Sequence, residues 1–274
     1  MPPKSSRNKM RSTQLALDSY DTDKVPNRNL ELYDPILQPW VDKRVKLLEI
    51  GVDKGGSLLL WRDYFPIGTI VGIDIDLPKG FSPGERIHVF EGSQADPRFL
   101  SEVANRMAPE GFDIIIDDGS HIGELTRIAF WHLFENHLKP GGLYAIEDWG
   151  TGYCDDWPDG RSVSLRRPAV SRLQGRLLTK RLSVNPKKRH LKIPKSLFRF
   201  LPKAHVPCHS YGMVGFVKEL VDEQGAVDLF ESVNTPKKQW RFVSVNTPKR
   251  QSRFESVLIT HNIVFVRKLG QGNF

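Results

Sequence analysis

Short, nearly unbroken apolar runs alternate along this chain with amphipathic stretches of helix length. Val45-Lys46-Leu47-Leu48-Glu49-Ile50-Gly51 predicts a first central strand, and Ser57 to Phe65 the helix after a glycine turn. Thr69 to Asp74 is a second strand, almost wholly apolar as strands buried on both faces are. Arg86 to Glu91 is a short third strand, followed by a helix over about Pro97 to Met107. Phe112 to Ile116 and Gly142 to Ile146 supply strands four and five. The helix between them runs from roughly His121 to Leu138 and is stopped by Lys139-Pro140-Gly141-Gly142. Tyr211 to Gln224 again has helical spacing. Ser256 to Thr260 and Ile263 to Arg267 flank the polar pair His261-Asn262, which reads as a hairpin with Asn262 suited to positive φ. This layout predicts an α/β fold: a doubly wound, Rossmann-like, mostly parallel seven-stranded sheet with a C-terminal antiparallel hairpin.

The crossover between strands four and five places them side by side and parallel. Their following turns, Asp117-Asp118-Gly119-Ser120-His121 and Glu147-Asp148-Trp149, therefore meet at the carboxyl edge of the sheet, where open α/β folds bind ligands. Several carboxylates beside one imidazole are costly to hold together without a cation among them. Adjacent strand residues point to opposite sides, so Asp117 and Asp118 should divide their duties, one toward structure or cofactor and one toward metal. Each residue has a plainer role available. Either aspartate could cap the next helix, His121 could serve as a helix-start hydrogen bonder, and Glu147-Asp148 could be a solvated strand end. The convergence of both turns favours a site.

Charge divides the 274 residues unevenly. Gly160 to Lys218 holds 15 Lys and Arg and no acid, while the rest of the chain has 25 bases against 32 acids. The whole surplus of +8 therefore comes from one proline-rich stretch. It is read as a basic, lid-like insertion at about 155–208 in a single domain spanning 16–274, behind a mobile basic tail at 1–15. Phe230-Glu231-Ser232-Val233-Asn234-Thr235-Pro236-Lys237 recurs nearly intact from Phe242, a short tandem repeat at about 230–255 that is too brief for a solenoid. The 2 cysteines, Cys154 and Cys208, make no disulfide framework, so a reducing, cytoplasmic location is expected. No apolar run approaches the roughly 18 residues of a membrane span.

The turn after strand one, Glu49-Ile50-Gly51-Val52-Asp53-Lys54-Gly55-Gly56, occupies the usual nucleotide position. A dinucleotide fingerprint needs glycine where Asp53 stands, because the pyrophosphate approaches the backbone there. Asp53 disfavours a pyrophosphate, and S-adenosylmethionine suits the turn better. Asp74, ending strand two, can accept from both ribose hydroxyls. Gly92-Ser93-Gln94 after strand three is placed to hold the adenine edge.

The motifs Leu48-Glu49-Ile50-Gly51-Val52, Gly72-Ile73-Asp74-Ile75-Asp76, Asp117-Asp118-Gly119-Ser120-His121, Leu138-Lys139-Pro140-Gly141-Gly142 and Ile146-Glu147-Asp148 resemble class I S-adenosylmethionine methyltransferases. More narrowly, the chain resembles the metal-dependent macrolide and rhamnosyl sugar O-methyltransferases of the mycinamicin type, a group that includes proteins labelled cephalosporin hydroxylase. The resemblance covers about Asp18 to Gly152 and Tyr211 to Lys268. It implies cofactor contacts from Glu49, Gly51, Gly55, Asp74, Ser93, Gln94 and Asp117. It also implies Mg²⁺ held by Asp118, Glu147 and Asp148, with His121 as the base that deprotonates a sugar hydroxyl. Hard oxygen ligands agree with Mg²⁺, and imidazole is the side chain suited to proton exchange near neutrality. Tyr20-Asp21-Thr22-Asp23-Lys24 resembles an N-terminal Gly-Thr-Asp-Lys element of this group with Asp21 in place of the glycine, and Asn27-Arg28-Asn29 stands where His-Gly-Tyr is expected.

The expected acceptor is thus a glycosylated small molecule, and the basic insertion would suit an anionic one; a homo-oligomer is compatible with this reading. A catechol or phenol O-methyltransferase also places a cation under a diol. A nucleic-acid-binding protein or RNA methyltransferase would use the basic insertion, but that stretch offers few aromatic residues and no recognition motif.

Overall fold

A computed structural model describes residues 10–154, 156–160, 211–231 and 253–270. The described elements are α1 (Asn29–Leu37), β1 (Lys46–Ile50), α2 (Gly56–Tyr64), β2 (Thr69–Asp74), β3 (Ile87–Glu91), α3 (Pro97–Met107), β4 (Phe112–Asp117), α4 (Gly123–Asn136), β5 (Leu138–Glu147), α5 (Gly212–Glu231), β6 (Phe254–Ile259) and β7 (Ile263–Lys268). They form one seven-stranded sheet in the order β3-β2-β1-β4-β5-β7-β6. The first five strands are parallel, and β7 pairs antiparallel with both β5 and β6. The strand order reverses at β1 and β4, so a crevice opens above their carboxyl ends.

Alternation along the strands builds two cores. Leu48, Ile50, Ile115, Tyr144 and Ile146 pack with α3, α4 and α5 on one face. Leu47, Ile114, Ile116, Ala145 and Phe265 pack with α1 and α2 on the other. Both faces are buried, which explains the continuous apolar runs. Asp96 caps α3, accepting from the amides of Arg98 and Phe99, and Pro97 supplies the first turn without needing a partner for a missing N–H.

Three details differ from the pattern-based reading. Lys139-Pro140-Gly141-Gly142 does not merely end a helix. It lies inside β5, whose register against β4 shifts between Phe112 and Ile114, with Gly141 in the left-handed region at φ +74°. Asn262 is not among the described residues with positive φ; its side-chain amide donates to Asn29 Oδ1 at 2.9 Å instead, tying the hairpin to α1. Helix α1 was not apparent from apolar spacing because Asp34 and Pro35 interrupt it. Asp34 is buried and accepts from Ser12 and from Tyr64. Most of the basic insertion and the repeat lies outside the described residues.

Candidate active site

Above β1, β2 and β4 lies a cavity of about 830 Å³, within the range of about 300–1,000 Å³ that small-molecule sites occupy. One side of it is formed by the glycine turn, Asp74 and Gly92-Ser93-Gln94, and the other by Asp118, His121 and Asp148. Gly51, at φ +93°, lets β1 turn beneath the β4 loop: a Cβ there would stand 2.2 Å from the Asp118 carbonyl oxygen. Asp74 Oδ2 accepts from the amides of Val52 at 2.7 Å and Asp53 at 3.3 Å, which fixes the turn while the carboxylate borders the cavity. Gln94 joins the two halves. Its Oε1 accepts from the Ser120 amide at 2.9 Å, and its Nε2 donates to Asp117 Oδ1 at 3.4 Å.

At the acidic end, one ligand atom each from Asp118, His121 and Asp148 lies within 4.8 Å of the others. His121 Nε2 is 3.8 Å from Asp118 Oδ1 and 3.9 Å from Asp148 Oδ2, too far for direct hydrogen bonds and open enough for a third party. His121 and Asp148 both sit at φ +51°, a region costly for residues other than glycine and found most often where function demands it. Burial raises the Asp148 carboxyl above its usual range, and His121 opposes that shift. The Trp157 ring packs edge-on to His121 with centroids 5.5 Å apart. Trp149 is instead held by the hairpin, its Nε1 donating to the Thr260 carbonyl.

Behind this rim is a second, buried acid cluster. Lys24 is fully buried, and its Nζ lies 2.5 Å from Asp118 Oδ2, 2.7 Å from Glu147 Oε1 and 3.3 Å from Glu49 Oε1. Glu147 also accepts from Tyr33 and Asn29, each at 2.7 Å, and Glu49 from Ser57 and Trp61. Burial alone would push the Lys24 ammonium down, but the charges of Asp118, Glu147 and Glu49 outweigh it and raise it well above its ordinary value. One base cannot balance three acids, of which Glu49 and Glu147 are buried. Burial, reinforced by Asp118, pushes Glu147 up to about 8, and burial also raises Glu49.

Of the residues singled out by sequence, Gly51, Asp74, Ser93, Gln94, Asp118, His121 and Asp148 therefore line the cavity. Glu49, Gly55, Asp117 and Glu147 do not. Glu49 and Glu147 face Lys24, Gly55 lies under the Phe81 ring, and Asp117 accepts from the buried Tyr144 hydroxyl. Burial pushes Asp117 up to about 7. Lys24 is picked out in the sequence only as the last residue of the Tyr20-Asp21-Thr22-Asp23-Lys24 element, with no role attached; it is 94 residues from Asp118 and 123 from Glu147, beyond any local spacing rule. The signal that could have found it is the surplus of carboxylates itself, which requires a buried base.

No protein-family model matches the chain. Over 205 residues it is 36% identical to demethylmacrocin O-methyltransferase from Streptomyces fradiae, covering 71% of this chain and 49% of that protein. Over 216 residues it is 33% identical to mycinamicin VI 2''-O-methyltransferase from Micromonospora griseorubida, with the same coverage of each. The solved structure of the MycE methyltransferase of the mycinamycin biosynthetic pathway, in complex with Mg and SAH, superposes with a TM-score of 0.56 at 28% identity, over 89% of this chain and 49% of that one. In sequence the chain is similar to these O-methyltransferases, and its fold is that of the MycE methyltransferase. It spans about half the length of the curated relatives it matches. Among the described residues, no helix is long and apolar enough to cross a membrane.

Proposed function

We propose that the chain is a cytoplasmic, Mg²⁺-dependent O-methyltransferase that uses S-adenosylmethionine to methylate a hydroxyl on a sugar of a glycosylated small molecule. The observation that carries this reading is the continuity of one cavity from Gly51 and Asp74 to Asp118, His121 and Asp148. The residues fit both groups. Asp74 offers a carboxylate to vicinal ribose hydroxyls, the Ser93-Gln94 loop borders the place for the base, and the glycine turn leaves the backbone open to the amino-acid end. Asp118 and Asp148 offer hard oxygen donors of the kind Mg²⁺ prefers, with room for water and a diol. When bound, S-adenosylmethionine supplies an electrophilic methyl on sulfur, and Mg²⁺ supplies a positive charge that makes a nearby hydroxyl more acidic.

The chain's own residues do the rest. Asp118 and Asp148 would hold the cation, on the side of the cavity that His121 also lines. His121 Nε2 takes the proton of the acceptor hydroxyl, and the left-handed backbone at His121 and Asp148 aims both side chains at one point. In this assignment Glu147 supports the site through Lys24 rather than as a ligand, because Lys24, Tyr33 and Asn29 already occupy both of its oxygens. The relatives named above are O-methyltransferases of demethylmacrocin and of mycinamicin VI, which directs the choice of acceptor class. The basic stretch from Gly160 to Lys218 favours an acceptor bearing phosphate or carboxylate.

Calorimetry and a methyl-transfer assay with glycosylated acceptors test the proposal. S-adenosylhomocysteine should bind, and Asp74→Ala should weaken it at least tenfold. Chelator should abolish turnover and Mg²⁺ restore it. Asp118→Asn and Asp148→Asn should each weaken Mg²⁺ binding more than Glu147→Gln does. No binding of S-adenosylhomocysteine, or full turnover in excess chelator, would remove the reading.

A further inference from the structure

Beside the imidazole of His121 stands an aromatic ring that the fold holds in place and leaves open to solvent. Trp157 is 37% exposed, and its ring meets that of His121 edge-on, with centroids 5.5 Å apart and planes at 82°. A single exposed apolar side chain says little by itself. What sets Trp157 apart is how it is fixed. Its amide donates to the Cys154 carbonyl at 3.1 Å, and Gly160 packs so tightly on the same carbonyl that a Cβ there would be 1.8 Å away. Two residues along, the buried Asp159 accepts from the amide of Gly123, which itself lies two residues beyond His121. One hydrogen bond therefore ties together the turns that carry the two rings. The indole N–H is also unspent. Among the described residues, Trp61, Trp131 and Trp149 donate their Nε1–H to Glu49, Glu219 and the Thr260 carbonyl, whereas that of Trp157 has no recipient.

We propose that Trp157 is a specificity-determining residue for the acceptor: its indole is the platform on which the C–H face of a pyranose rests while one ring hydroxyl lies at His121. This deepens the function proposed above and rests on its reading of the acceptor as a sugar. His121 lines the cavity whereas Trp157 does not, which puts the indole one ring outside the space that reaches back to the glycine turn. A cofactor seated on that turn would not touch it; a sugar presenting a hydroxyl to His121 would. A pyranose carries hydroxyls around its rim and C–H groups across a face. It can therefore satisfy polar groups at its edge while the face covers an aromatic ring. A platform already fixed by Asp159 and His121 loses little further freedom when the sugar arrives. The unspent Nε1–H can donate to a hydroxyl or the ring oxygen at the sugar's edge.

The probes are the methyl glycosides of L-rhamnose, D-glucose and D-galactose, titrated into the full chain with S-adenosylhomocysteine and Mg²⁺ present. Binding is followed by fluorine NMR of protein carrying 5-fluorotryptophan, with the Trp157 signal assigned from Trp157→Phe. That signal should move with at least one glycoside, while those of Trp61 and Trp131, which pack in the two cores, stay. Trp157→Ala should weaken that glycoside about tenfold, the scale of one aromatic contact, and leave S-adenosylhomocysteine affinity unchanged. Trp157→Phe keeps a smaller ring and should lie within about threefold of wild type. In methyl transfer the loss should fall on KM for the acceptor more than on kcat. If Trp157→Ala does not fold, Trp157→Leu replaces it, and equal glycoside affinity in the Leu and Phe variants counts against the proposal. A lowered kcat with unchanged glycoside affinity would mean that the indole only props the imidazole, which overturns it. A glycoside that binds without moving the Trp157 signal overturns it too, as does wild type that binds S-adenosylhomocysteine but none of the glycosides. Wild type that binds no S-adenosylhomocysteine, or that methylates catechol in preference to every glycoside, would instead remove the function proposed above, and the sugar platform with it.

Discussion

Gly51 shows how little freedom a single position has at this site. Its φ of +93° and the 2.2 Å from a notional Cβ to the Asp118 carbonyl mean that any side chain must push the β1 and β4 turns apart. Gly51→Ala should cost about 1–3 kcal/mol of backbone strain and weaken S-adenosylhomocysteine binding together with Mg²⁺ binding, since both halves of the cavity share that contact. Chemical denaturation and calorimetry on the same protein check it, and an unchanged Kd for both ligands would refute it. Sequence made Gly51 legible because few residues other than glycine can follow a strand in this way. It made Asp118 legible as one of an alternating pair but could not fix depth. Strand periodicity tells which face a side chain takes; it does not tell that Glu147, at the very end of β5, is 1% exposed behind Lys24 while Asp148, one residue on, turns into the cavity through a left-handed backbone.

At the scale of elements, the strands and most helices were readable because two packed faces force continuous apolar runs. What escaped was structure made by tertiary contacts: α1, held by buried Asp34, and the start of β5, where a proline and two glycines continue a strand through a shift in register. The α3–α4 contact is another case. Ser101 Oγ lies 2.8 Å from His132 Nε2 and 2.9 Å from His137 Nε2. A hydroxyl has one proton to give, so at most one imidazole can accept from it and the other must donate; an accepting ring is neutral. Burial lowers both histidines, and at His137 the neighbouring His132 and Lys268 add to the effect. The unfolded chain then binds more protons than the folded one as pH drops below the ordinary histidine value, so this contribution to stability is complete above about 6.5 and is lost as pH falls below it. Replacing both residues with Gln should flatten the slope of Tm against pH between about 5 and 6.5. An unaltered slope would mean that the pair does not report on folding.

For the whole molecule, the question is how a strongly basic stretch is carried on an otherwise acidic domain. The described residues on either side of it form a knot. Asp159 Oδ2 accepts from the amides of Gly123 and Met213, each at 2.8 Å, and so caps the starts of α4 and α5 together. Gly123 and Gly212 touch backbone to backbone, where a Cβ on Gly123 would lie 2.1 Å from the Gly212 carbonyl carbon. The chain positions on either side of residues 161–210 are therefore held together at one stapled point. Replacing 162–209 with a short Gly/Ser linker should leave the far-ultraviolet circular dichroism of the sheet intact and Tm within a few degrees of wild type. Asp159→Ala, a far smaller change, should cost roughly 2–4 kcal/mol because it strands two buried amides at helix starts. If the anionic-acceptor reading is right, the excised protein should also show a raised KM for the acceptor and no longer respond to salt, while S-adenosylhomocysteine binds as before. A shortened chain that fails to fold would show that the basic stretch is built into the domain, and a stable Asp159→Ala protein would refute the staple.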